Sequence, residues 1–228
     1  ALGCYGDERA LTPHIDRLAS ASLLFERAYC QQALCHPSRT SLLAGARPDS
    51  TGVFDLRGLF RQRLPDVQTL PELFVRQGWQ AISLGKVHHG SGSLDDERSW
   101  SEAPWRPEVG EVYFTEPGLA VLRERKAELE RKGYDEEPRG LATEAPEIAD
   151  ERLHDGRVAA EARRRIDALS GEPFFLAVGF KKPHLPFIAP KGDWEVHAPG
   201  DVELAANSAP AAGSPACSGT DFGELRAY

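Results

Sequence analysis

The chain has 228 residues, 41% of them hydrophobic and 27% charged, which are globular proportions and exclude wholesale disorder. No apolar run approaches the roughly 18 residues a membrane span requires, and a net charge of −8 argues against a general binder of nucleic acid or of a membrane surface. There is no methionine and residue 1 is alanine, so the chain is expected to be part of a longer reading frame, and its lack of a leader says nothing about targeting.

In chain order, short apolar runs alternate with amphipathic stretches, the pattern of an α/β layered domain. Thr12-Pro13 followed by His14 to Ala19 reads as a short capped helix, and Leu23-Leu24-Phe25 as a strand. Pro37 to Ala44 predicts a helix with proline in its first turn and Gly45 as its stop, and Leu70 to Gln77 closed by Gly78 repeats the arrangement. Ala81 to Leu84 is a short strand ending at Gly85. Gly118 to Lys132 is a charged helix with Leu119, Leu122 and Leu129 as its apolar stripe and Glu128 placed to pair with Lys132. Tyr134 to Asp155 holds eight acids and two bases and reads as a solvated stretch. Arg157 to Leu169 is another amphipathic helix, and Phe174 to Val178 a continuous apolar run expected of a buried strand. Residues 205–219 are rich in Ala, Pro, Ser and Gly and read as a loop or linker.

Four cysteines, Cys4, Cys30, Cys35 and Cys217, are too few for a disulfide scaffold and form no C-x-x-C pair. Cys35 is the informative one. It lies just before the predicted helix at Pro37, where the first backbone N–H groups and the helix dipole favour an anion. Arg39, four residues on, rises from nearly the same face and adds a fixed positive charge. The plainer alternative is a small buried cysteine with Arg39 on the surface. A tyrosine-phosphatase-type loop is disfavoured because five residues separate its cysteine and arginine, against three here, and a Cys30–Cys35 metal pair lacks a second pair of ligands.

The sequence Cys35-His36-Pro37-Ser38-Arg39 within a longer Leu-Leu-x-Gly helix resembles the signature of the formylglycine-dependent sulfatases. His36 stands where a small residue is usual, and Ala44 where threonine is frequent. Leu2 to Asp7 with Thr12 to Ala19 is similar to the segment that follows the first sulfatase strand, and Tyr29 to Ala33 and Arg47 to Gly52 flank the cysteine as in the iduronate-2-sulfatase branch. Gly85-Lys86-Val87-His88-His89 matches that branch's G-K-x-x-H, and Lys182-Pro183-His184-Leu185-Pro186-Phe187 its K-P-H-x-P-F. Proline excludes a helix in the latter, so Lys182 and His184 are expected on one side of an extended segment.

The resemblance implies an alkaline-phosphatase-like α/β/α sandwich with a mostly parallel central sheet, incomplete in this chain. It implies hydrolysis of sulfate monoesters, of a sulfated sugar or glycosaminoglycan in that branch, by a nucleophile made when a sulfatase-maturing enzyme oxidises Cys35 to formylglycine. In this reading Cys35, Pro37 and Arg39 form the modification motif, and Arg39 holds the aldehyde hydrate. Lys86 binds hydrate and sulfate, and His89 orients or deprotonates the hydrate. His184 contacts the sulfate or protonates the leaving oxygen, and Lys182 faces the substrate. The family also uses a divalent cation, usually calcium, bound by hard oxygen ligands. Formylglycine 35 would be one ligand, and the adjacent aspartates of the first strand and the later Asp-His or Asp-Asn pair are expected outside this chain, which reads as an N-terminal part of the catalytic domain. Family members are periplasmic, secreted or lysosomal. A phosphonate or phosphate ester hydrolase of the same superfamily and a catalytically silent sulfated-glycan-binding domain are the alternatives.

Overall fold

The structure is a computed structural model that describes residues 2–90, 94–108, 110–197, 206, 209, 211–215 and 228. It divides into two compact units, residues 1–67 and 68–228. Most of the linker-like 205–219 segment lies outside the described residues.

The first unit is helical. A 3₁₀ turn at Gly3–Tyr5 precedes α1 (Pro13–Ser20), α2 (Cys35–Ala44), α3 (Pro48–Thr51) and α4 (Phe60–Arg63). Proline opens α1 and α3, where its fixed φ suits the first turn and its missing N–H costs nothing. Thr12 does not cap α1. Its hydroxyl accepts from Gly3 N at 2.9 Å and donates to Asp16 at 3.0 Å, and Asp16 also takes Cys4 N at 2.8 Å, so the pair ties the 3₁₀ turn to the helix. Gly45 (φ +63°) and Gly52 (φ +71°) end α2 and α3 in the left-handed region. Around these stops Ala44, Val53 and Phe60 form a buried cluster flanked by Ala46 and Val67.

The strand expected at Leu23 to Phe25 does not form. A strand is held by a ladder of backbone bonds, yet no described segment pairs with it. The Phe25 carbonyl accepts from the Tyr5 hydroxyl at 2.8 Å instead, and Leu23 and Phe25 are exposed.

The second unit is layered. Its elements are α5 (Leu70–Arg76), β1 (Gln80–Gly85), α6 (Glu116–Lys132), β2 (Thr143–Glu144), α7 (His154–Ala168), β3 (Phe174–Gly179), β4 (Phe187–Ile188) and α8 (Lys191–Glu195). β1 and β3 pair in parallel with Gln80 opposite Phe174 and Gly85 opposite Gly179. Alternation then sorts the side chains. Ile82, Leu84 and Leu176 point to one face and pack on Val158, Ala162 and Leu169 of α7 and its end. Phe175 points to the other, where its ring stacks on Phe74 of α5 at 4.7 Å and lies 6.5 Å from Trp100. A helix covers each face, giving the α/β/α order.

β1 is buried from Ala81 to Gly85, whereas β3 is only half-buried, with Val178 exposed. The apolar run therefore overstated the burial of β3, whose second edge has no partner among the described residues. α6 starts two residues earlier than the sequence suggested, behind an N-cap at Thr115 that accepts from Gly118 N, and its Glu128–Lys132 pair forms at 2.7 Å. No helix among the described residues is long and apolar enough to cross a membrane.

Candidate active site

In the first unit, Cys35 is the first residue of α2 rather than a residue before it, and Leu34, in extended conformation, is the N-cap. Leu34 has no side-chain oxygen to bond the first-turn N–H groups, and the positive end of the helix favours negative charge there. Arg39, one turn on, is half-buried. Burial pulls its guanidinium below its ordinary pKa, and the Cys35 side chain, close enough to act through charge, pushes it back up. Pro37 is buried in the first turn.

His36, at the unusual position of the signature, is 2% exposed, and its Nε2 bonds the Gly58 carbonyl at 2.7 Å. The same turn is closed by Asp55, whose Oδ1 accepts from Arg57 N at 2.9 Å and Gly58 N at 3.0 Å. The imidazole thus fills space that a small residue would leave and fastens the 55–58 turn to the cysteine helix.

In the second unit, the two basic motifs leave the C-terminal ends of neighbouring parallel strands, where α/β sheets bind ligands. Gly85 (φ +71°) turns the chain out of β1, and Lys86 N donates to Gly179 O at 2.7 Å. A Cβ on Gly85 would overlap the Gly179 carbonyl, and one on Gly179 would overlap the Lys86 carbonyl. Glycine at both positions is what lets the strand ends cross this closely. Lys86 and His89 are half-buried, while His88 is 1% exposed with its ring edge-on to Trp100 at 6.2 Å. Of the two adjacent histidines, His88 belongs to the core and His89 to the surface of the site.

The second motif is a turn, not the extended segment expected. The Lys182–Pro183 and Leu185–Pro186 bonds are cis, and His184 N donates to Lys181 O at 3.0 Å. Lys182 Nζ donates to His184 O at 3.2 Å and to Pro186 O, so two of its three N–H groups staple the turn. Burial lowers the Lys182 pKa, against the opposing pull of Asp155. The His184 ring donates from Nδ1 to Leu185 O at 2.9 Å.

Two groups escaped the sequence reading because both lie in the acidic 134–155 run. Asp155, in the first turn of α7, accepts Lys181 N on Oδ1 and Lys182 N on Oδ2, both at 2.9 Å, and His154 Nδ1 at 2.8 Å. Burial pushes its carboxyl up, but these bonds outweigh that and hold it below the usual carboxylate range. His154 is lowered, chiefly by burial. Glu144 is 5% exposed and accepts from Phe114 N at 2.9 Å and Thr115 Oγ1 at 2.6 Å, locking the start of α6. A solvated charge run and a buried acceptor are indistinguishable by composition.

Among the described residues, no three His, Cys, Asp or Glu side chains converge to hold a metal ion. The donors present among the described residues do not by themselves make up a cation site.

The sulfatase family profile matches residues 1–199. The chain is 36% identical to human iduronate 2-sulfatase over 197 residues, which cover 84% of this chain and 34% of that protein. It is 29% identical to a sulfatase of Formosa agariphila, covering 79% and 36%. The chain thus spans about a third of the length of these relatives. Its fold is similar to the crystal structure of a phosphonate monoester hydrolase of Agrobacterium radiobacter, with a TM-score of 0.57 at 20% identity over 89% of this chain and 42% of that one. With the cysteine signature at the head of α2, both basic motifs at the ends of paired parallel strands and a match over most of its length, the chain belongs to the sulfatase family and has its alkaline-phosphatase-like α/β fold.

Proposed function

We propose that the protein containing this chain hydrolyses sulfate monoesters of a sulfated sugar or glycosaminoglycan, with Cys35, oxidised to formylglycine by a maturing enzyme, as its nucleophile. The observation that supports this most is Cys35 at the first position of α2 with Arg39 one turn away and within electrostatic reach. When present, the aldehyde hydrate supplies one hydroxyl to displace the alcohol from sulfur and a second to release sulfate, which a plain thiol or serine cannot do.

The residues of the chain then have separable tasks. A sulfate monoester carries one charge over three oxygens, and more builds on the leaving oxygen as the S–O bond breaks, so fixed cations are worth most where that charge develops. Arg39 holds the nucleophile, and Lys86 binds a sulfate oxygen. His89 orients or deprotonates the attacking hydroxyl. His184, through Nε2, protonates the leaving oxygen, and the remaining N–H of Lys182 faces the substrate. Calcium, the ion usual in this family, completes the cation set with ligands outside those described. Likeness to iduronate 2-sulfatase supports a uronate-containing glycan as substrate class.

Mass spectrometry of the Cys35 peptide from full-length protein, together with sulfate release from sulfated disaccharides, tests the reading. Conversion of the thiol lowers the peptide mass by roughly 18 Da, one oxygen replacing one sulfur and two hydrogens. We expect conversion, turnover, and loss of turnover by at least ~10³-fold in Cys35→Ala. An unmodified thiol with no turnover would leave a glycan-binding domain. Faster release of phosphonate or phosphate than of sulfate would transfer the assignment to the other hydrolase class.

A further inference from the structure

The turn that carries Lys182 and His184 has no regular secondary structure to hold it, so its shape must come from elsewhere. Asp155 spends both carboxylate oxygens on consecutive backbone N–H groups of the chain entering that turn, Lys181 on Oδ1 and Lys182 on Oδ2, each at 2.9 Å. A single acceptor would leave the segment free to pivot; two fix both position and direction. Asp155 is itself anchored. It lies in the first turn of α7, where the helix dipole favours a negative charge. His154 Nδ1 braces Oδ1 at 2.8 Å. One and two turns on, Val158 (0% exposed) and Ala162 (8%) seat α7 on Ile82 and Leu84 of β1. Downstream, His184 N on Lys181 O, Lys182 Nζ on His184 O and His184 Nδ1 on Leu185 O carry the constraint to the imidazole.

We propose that Asp155 is a positioning residue for the leaving-group proton transfer: through Lys181 and Lys182 it aims His184 Nε2 at the departing oxygen. This rests on the sulfatase reading above. In the step concerned, the S–O bond to the alcohol breaks with its electron pair going to oxygen. The Nε2–H of protonated His184 moves to that oxygen, leaving neutral imidazole. The group being aimed is a proton donor, so mis-aiming it costs most when the leaving alkoxide is most basic. An activated phenol leaves without help. A structural defect that merely lowers the amount of folded enzyme or disturbs sulfate binding would reduce both substrates alike.

The test compares full-length wild type, Asp155→Asn and His184→Ala on a sulfated disaccharide and on 4-nitrophenyl sulfate, at matched formylglycine content. Asn keeps one carbonyl acceptor and loses the other. We expect kcat of Asp155→Asn to fall roughly 10–100-fold on the sugar sulfate and less than about 3-fold on the aryl sulfate, with KM for each within about 2-fold. In the His184→Ala background, Asp155→Asn should add no further preference for the aryl substrate. Equal losses on both substrates, an additive effect in the double variant, or unchanged kcat would each overturn the proposal. If Asp155→Asn fails to fold, Asp155→Glu replaces it, with amide exchange at Lys181 and Lys182 as a second readout; unchanged protection there with unchanged selectivity overturns it equally. Wild type that turns over neither ester while folded and fully converted at Cys35 would sink the functional reading, and the role of Asp155 with it. Aryl-selective loss in an active enzyme isolates the inference itself.

Discussion

Glu161 on α7 receives Arg164 through both carboxylate oxygens, at 2.7 Å and 2.5 Å, and Arg165 Nε at 2.7 Å. The bond from Arg164, aided by Arg165, brings its pKa down to about 2. The carboxylate is lowered in the folded state, so the unfolded chain binds its proton first as pH falls. Its stabilisation is complete above the unfolded value near 4.5 and drains away towards pH 2. Arg164 is well exposed, so solvent screening keeps the net worth small. Glu161→Gln should cost about 0.5–1 kcal/mol at pH 7 and almost nothing near pH 2, as read from denaturant unfolding at the two pH values. A difference that persists at low pH would mean that the side chain acts through packing rather than charge.

At the scale of elements, the crossing of β1 and β3 depends on two hydrogens standing where side chains would be. Gly179 has ordinary strand geometry, so its need for glycine is purely steric: a methyl group would run into the Lys86 carbonyl. Gly171 is the opposite case, with φ +92° and open space around the missing Cβ. Gly179→Ala should cost about 3 kcal/mol or more, against about 1 kcal/mol for Gly171→Ala. Only the former should also depress turnover in the protein that still folds. Unfolding midpoints and steady-state rates check both halves.

The same elements show what a sequence discloses. Pro13 and Pro48 at helix starts, and Gly45, Gly85 and Gly133 at element ends, act through their own φ angles, and each lies where local chemistry puts it. The partners of a side chain are different. Asp155 meets Lys181 only after the chain has passed through α7 and β3, and no periodicity signals that meeting. Leu23 to Phe25 has strand composition but no neighbour to pair with among the described residues, so propensity was overridden by tertiary context. The cysteine signature and the two basic motifs are legible as a likeness to a family, carried by short runs of sequence; the acceptors that hold them are not.

At the scale of the whole molecule, charge is divided unevenly. Residues 1–100 carry eleven basic and eleven acidic side chains, whereas the Tyr134–Asp155 run contributes −6. An acidic run repels an anionic glycan, so on the proposed function such a substrate would have to be held by the chain's basic groups elsewhere. Full-length enzyme treated with a strong chelator should lose turnover by at least ~10²-fold and regain it with added Ca²⁺. Recovery with Mg²⁺ but not Ca²⁺ would reassign the ion, and indifference to the chelator would remove the metal from the reaction.

The two basic motifs are far apart along the chain, yet the strands that lead into them pair side by side in the β1–β3 ladder, which α7 reinforces from one face. The exposed stretch at 131–137 lies between them in sequence and belongs to neither strand. A protease nick there would leave two polypeptides still clasped by backbone bonds and a shared apolar seam, so a clipped molecule would keep Lys86 beside the strand that leads to His184. Covalent continuity through the crossover serves to bring the two strands side by side; once paired, they no longer depend on it.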